Sequence, residues 1–108
     1  MDLEEALKIF YESVEMYHKS EIDDINTINM AMKNISVALV YMTKERVEFN
    51  KKWEAIVFEK SKKMSNVAAK TIANNDVPEL YEIRKVQETG QNLLKSIISH
   101  YSGLKNEK

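Results

Sequence analysis

From residue 21 to residue 74 the chain contains neither glycine nor proline, and apolar residues recur through that span at steps of three and four. Ile25, Ile28, Met32, Ile35, Leu39, Met42, Phe49, Trp53 and Ile56 keep one face, interrupted by Arg46, and Met64, Val67, Ala68 and Ile72 extend it. That spacing marks one side of an α-helix. Nothing stops the pattern before Asn74, Asn75, Asp76, Val77 and Pro78, so one helix is expected over 21–74, with a weak point at Ser65 and Asn66. At 1.5 Å per residue it would be about 80 Å long, too long to be a self-contained globule.

Shorter helices are expected on either side. Asp2 and Glu5 have the spacing of a capping box, and Leu3, Leu7, Phe10, Val14 and Tyr17 then form a seam, giving a helix over 2–19. Ser20 with Asp23 repeats the capping spacing, so the second helix is expected to start at once, at residue 21. Asp76 with Glu79, and Pro78 in the first turn, open a helix over 77–103. Its seam is Leu80, Ile83, Leu94, Ile97, Tyr101 and Leu104, with Gln87 and Gly90 between. A mid-helix glycine costs about 1 kcal/mol relative to alanine, and the expected use of Gly90 is close approach of a facing helix or bulky side chain, with a loop or kink there as the alternative. With two glycines and one proline in 108 residues, turns for a sheet are lacking. The expectation is an all-α, single helical domain over 1–108: one very long central helix with two shorter antiparallel helices folded back on it.

Folding the chain at its two corners sets the first helix over roughly residues 22–38 of the long one and the third over roughly residues 47–74, because residues equidistant from a hairpin turn face each other. Between them lies Val37, Ala38, Leu39, Val40, Tyr41 and Met42, apolar around the whole circumference. Leaving three such side chains in water would forgo about 1.5–3 kcal/mol each. A homo-oligomer is therefore expected, with Val37, Leu39, Val40, Tyr41, Met42 and Arg46 at its interface. Arg46 breaks the seam in the same region, where a polar residue can fix register or oligomer number, unless its stem simply snorkels to water.

The net charge of −1 conceals a division along the chain. Residues 1–24 balance at −6 and residues 43–70 at +4. The absence of cysteine removes disulfides, thiolate zinc sites and cysteine nucleophiles together. The run Val37–Met42 is far short of the roughly 20 apolar residues that cross a bilayer, and the acidic start is unlike a secretion signal. A cytoplasmic, non-membrane protein is expected.

Chemistry has few candidates. Glu15 and His18 have the Glu-x-x-His spacing of di-iron bundles, but no second copy exists to complete such a site, and solvated side chains are the plainer reading. His100 has no placed acid or nucleophile. There is no Gly-rich phosphate loop, so neither enzyme activity nor a cofactor is expected. The basic stretch says more: Lys52, Lys63 and Lys70 would lie near one face of the long helix, Lys51, Lys60 and Lys62 flank them, and Arg84 and Lys85 join from the third helix. Such a surface can be laced by Glu48–Lys52 and Glu59–Lys63 pairs at i, i+4, or it can track phosphates. Phe49 and Trp53 among the lysines could stack bases, although their seam positions favour a core role.

The long Lys- and Glu-rich helix with Tyr41, Phe49 and Trp53, the short break, and a helix opening Pro78, Glu79, Leu80, Tyr81 and closing Leu93, Leu94, Lys95, Ser96, Ile97, Ile98 together resemble small helical proteins of phage recombination and replication, most of all the recombination mediators of T-even phages. The resemblance implies rings that bind single-stranded DNA and help load a recombinase. The acidic first helix departs from that pattern. The functional expectation is an oligomeric helical accessory protein that binds single-stranded nucleic acid. Its alternatives are a protein adaptor or inhibitor, of an anti-host-defence type, acting through the acidic first helix, and a purely structural assembly.

Overall fold

The computed structural model describes residues 1–106, and every regular element among them is an α-helix: α1 Leu3–Lys19, α2 Ile25–Lys60, α3 Asn66–Asp76 and α4 Pro78–Asn106. α1 begins where its capping box predicts, with the extended Asp2 accepting from the Glu5 N–H at 2.8 Å. Ser20 does not open the next helix. Its backbone N–H and its hydroxyl both donate to the Tyr17 carbonyl, at 3.2 and 2.7 Å, and so close α1. Asp24 caps α2 instead, one carboxylate oxygen taking the Thr27 N–H at 3.1 Å and the other the Thr27 hydroxyl at 2.7 Å. Those two bonds hold the Asp24 carboxyl below its ordinary pKa, the hydroxyl contributing more than the backbone. The second helix therefore starts at Ile25 and not at residue 21.

The larger correction concerns the long helix, which ends at Lys60 and not near residue 74. Lys60, Lys62 and Lys63 put three like charges within one turn, and a like-charge pair three or four residues apart weakens a helix. The Ser61 hydroxyl donates to the Val57 carbonyl at 2.6 Å, and the Lys63 and Met64 N–H groups both return to the Lys60 carbonyl. Ser65 is extended and its hydroxyl accepts from the Ala68 N–H at 3.2 Å, capping α3 at the expected weak point. α2 is thus 36 residues, about 54 Å. The chain then turns on Val77, and α4 runs from Pro78 through Gly103 to Asn106, past its expected end.

Two compact units form, one of Met1–Met42 with Gln87 onward and the other of Thr43–Val86. The divisions fall inside α2 and α4. No helix among the described residues is long and apolar enough to cross a membrane.

In the first unit, Ala6 and Phe10 of α1, Ile28, Ile35, Leu39 and Met42 of α2, and Ile97 of α4 are buried. Gly90 serves the expected close approach. A Cβ there would lie 2.7 Å from Phe10 Cε1 and 2.8 Å from Leu39 Cδ2. Gln87 of α4 also lies over this stretch, its amide donating at 3.5 Å to the Leu39 carbonyl. Leu39 is 6% exposed and Met42 fully buried. The expectation that the chain leaves residues 37–42 uncovered fails for these larger side chains, because a return helix starting from a shorter α2 reaches further back along it. Of the expected interface, Val37, Val40 and Arg46 remain well exposed. Tyr41 is half-buried and its hydroxyl donates to the Met1 carbonyl.

In the second unit, Ala69 and Ala73 of α3 and Val77, Leu80, Ile83 and Val86 are buried. The α2 residues of this unit are less enclosed: Phe49, Trp53, Ile56 and Val57 are half-buried, while Val47 and Phe58 are exposed. Small alanines on α3 let the helices approach, but they cover little of a large facing side chain.

Candidate functional site

All eight residues expected to contact nucleic acid lie in the second unit, and all are exposed. Lys51, Lys52 and Lys60 belong to α2, Lys62 and Lys63 to the connection after it, Lys70 to α3, and Arg84 and Lys85 to α4. Lys52, Lys63 and Lys70 therefore do not share one helical face, because the helix that would align them stops at Lys60. The unit as a whole carries ten Lys and Arg against seven Asp and Glu, a balance of +3. The first unit balances at −4.

Local pairing tempers this charge without cancelling it. The expected Glu48–Lys52 and Glu59–Lys63 pairs are replaced by Glu48–Lys51 at 3.6 Å and Glu59–Lys62 at 3.4 Å. Exposed pairs of this kind are worth about 0–1 kcal/mol and are readily exchanged for another anion. Lys52 Nζ stands 5.1 Å from the centre of the Phe49 ring, and Lys62 Nζ 4.9 Å from that of Phe58. Trp53 is a structural residue in part, as the seam suggests: its indole N–H donates to Asn74 Oδ1 at 2.8 Å.

Two open clefts lie within this unit and share Arg84 as a common wall. One, of about 580 Å³, is lined by Thr43, Arg46, Val47, Asn50, Lys51 and Arg84. The other, of about 360 Å³, is lined by Asn74, Val77, Pro78, Leu80, Tyr81 and Arg84. Among the described residues, neither lining contains a carboxylate. The first gathers three cations, an amide and a hydroxyl from α2 and α4, a donor set suited to an anion. Arg84 is oriented across the helices by donating to Asn50 Oδ1 at 3.3 Å, and the Asn50 amide donates in turn to Glu54 at 3.0 Å.

Arg46 thus belongs with the basic cleft. It is six residues beyond Val40 and so stands about 120° away from it round α2, off the outward face of Val37 and Val40. That face also carries Met30, seven residues before Val37 and likewise exposed. Thr43, Asn50 and Tyr81 have no signal in the sequence that marks them as lining residues; their place depends on which stretch of α4 meets α2.

Glu15 and His100 are occupied otherwise. Glu15 holds Lys19 at 2.6 Å, and that hydrogen bond and charge lower its carboxyl pKa. Among the described residues, no group of three or more His, Cys, Asp or Glu is arranged to hold a metal. His100 Nε2 lies 2.6 Å from the Ile22 carbonyl and Nδ1 3.0 Å from the Tyr17 hydroxyl. A carbonyl can only accept, so Nε2 donates to it, and Nδ1 is left to pair with the tyrosine hydroxyl, a group that can donate or accept. His100 ties α4 to the end of α1 and to the connection after it.

Comparison with family models, with curated proteins and with solved structures finds no match to this chain.

Proposed function

We propose that this chain is a non-enzymatic helical binding protein that holds single-stranded nucleic acid on its Thr43–Val86 unit and associates with further copies of itself, as an accessory to DNA recombination or replication. The observation that carries the reading is the number of exposed cations that α2, the connection after it, α3 and α4 place within one compact unit, three of which, Arg46, Lys51 and Arg84, line one cleft. Phosphates are bound by such surfaces with release of counterions, so affinity falls with the logarithm of salt at a slope of about −0.7 per phosphate contact for a single strand. A labelled oligothymidine titrated by fluorescence anisotropy should bind at low salt. For four contacts, a fourfold rise in salt should weaken binding roughly 50-fold. No binding at low salt would remove the reading and favour a basic protein partner for the acidic α1.

Self-association is supported by Met30, Val37 and Val40, which leave an apolar line on the side of α2 away from Ile35, Leu39 and Met42. Val40 is 72% exposed, and a second copy would remove it from water. The opposite charges of the two units give copies a further attraction. Analytical ultracentrifugation should show an oligomer that Val40→Lys dissociates; a monomer at high concentration would exclude this part.

A further inference from the structure

The shared wall of the two clefts points to a defined nucleotide site and not only a diffuse basic surface. We infer that one backbone phosphate of a single strand sits between Arg46, Lys51 and Arg84, with the adjoining base stacked on Tyr81.

The two halves of the site suit the two halves of a nucleotide. Arg46 and Lys51 project from α2 and Arg84 from α4 into one cleft, so an anion there meets cations from two sides. Arg84 spends one N–H on Asn50, which fixes the plane of the guanidinium and leaves the remainder of the fork for phosphate oxygens. Thr43 and Asn50 add uncharged polar groups to the same wall. Lys51 has Glu48 at 3.6 Å, an exposed contact that a phosphate can displace.

The second cleft begins on the other side of Arg84. Pro78, Tyr81 and Arg84 succeed one another at intervals of three along α4 and so lie on one face of it. Tyr81 is 73% exposed, although it sits between the buried Leu80 and Ile83 on either side of its turn. Its ring is therefore not needed to fill the core, and Pro78 and Leu80 give the cleft an apolar floor beside it. A planar base can lie on that ring while its own phosphate reaches Arg84, one helical turn further on. Stacking of this kind is tolerant of sequence, since every base has a π face. A free anion would use the first cleft alone, and a phosphorylated side chain would leave the second without a planar occupant.

The site depends on the proposed binding of single strands by the second unit, and two exposed substitutions separate its parts. Arg84→Ala should weaken oligothymidine binding roughly tenfold and flatten the salt slope by about 0.7, the share of one phosphate. Tyr81→Ala should weaken it by roughly 5- to 100-fold with the slope unchanged, and Tyr81→Phe should restore binding. An oligonucleotide with abasic residues throughout should bind more weakly to the wild type and be indifferent to Tyr81→Ala. Unchanged helicity and melting temperature in each variant would show that the fold is intact. If the wild type binds but Arg84→Ala and Tyr81→Ala titrate as it does, the site is overturned and the broader reading survives. An abasic strand that binds as tightly as oligothymidine overturns the stacking half. If the wild type binds no oligonucleotide at low salt, the reading beneath the site fails with it.

Discussion

α2 is one continuous helix with two characters. In the unit of Met1–Met42 and Gln87 onward it buries six residues, Ile28, Ala31, Ile35, Ala38, Leu39 and Met42; within Thr43–Val86 it buries none. The same two regions differ in charge, −4 against +3. Side chains committed to a core cannot face a ligand, and cations held in water cannot contribute much to a core. The contrast assigns the folding energy of α2 mainly to the first unit and its binding chemistry to the second.

Truncation in the two stretches of α2 tests this division most strongly. Met42→Ala or Leu39→Ala should cost about 2–5 kcal/mol in urea unfolding, the range for large side chains removed from a packed core. Trp53→Ala removes a bigger side chain, yet its half-burial limits the expected loss to about 1–2 kcal/mol, including the bond to Asn74. Equal losses at Leu39 and Trp53 would erase the distinction.

The two glycines of α4 give a smaller effect whose sign is informative. Gly90→Ala gains helix propensity but drives its Cβ against Phe10 and Leu39, with a net destabilisation of about 1–2 kcal/mol. Gly103→Ala meets nothing within 4 Å and should stabilise by about 0.5–1 kcal/mol. Thermal melts of the two variants should therefore move in opposite directions.

The smallest effect is the pH response of the α2 cap. Because Thr27 lowers the folded pKa of Asp24 below its unfolded value, the stability this supplies is present above the unfolded pKa and is lost as pH falls through the lowered folded one. Melting curves from about pH 6 to about pH 2 should show Asp24→Ala and wild type converging at the acidic end. A constant difference would mean that the carboxylate is not the source.

The helical class and the seam of α2 up to Met42 are legible in the sequence because each depends on local spacing alone; the seam expected at Met64, Val67, Ala68 and Ile72 is not the buried face of α3, where Ala69 and Ala73 are buried and Val67 is exposed. The end of α2 is harder to read. Ser61 and Ser65 fit a helix interior poorly but acceptably, and they serve better by bonding to nearby backbone, while Met64, Val67 and Ala68 keep the three/four rhythm across the break. That one displacement resets the pairing of α4 with α2. With α2 stopping at Lys60, Gly90 and not empty space faces Leu39, and Arg84 meets Asn50 and so closes the basic cleft. The basic residues could be named from composition, but the convergence of Arg46, Lys51 and Arg84 depends on contacts 34 residues apart in the chain, such as that between Asn50 and Arg84.

The division of labour along α2 is tested most directly by mapping backbone amide chemical shifts with and without oligothymidine at low salt. The expected result is a set of perturbations within Thr43–Val86, centred on Arg46, Lys51, Tyr81 and Arg84, with α1 and the core around Leu39 unmoved. Perturbations centred on α1, or spread evenly over both units, would contradict it.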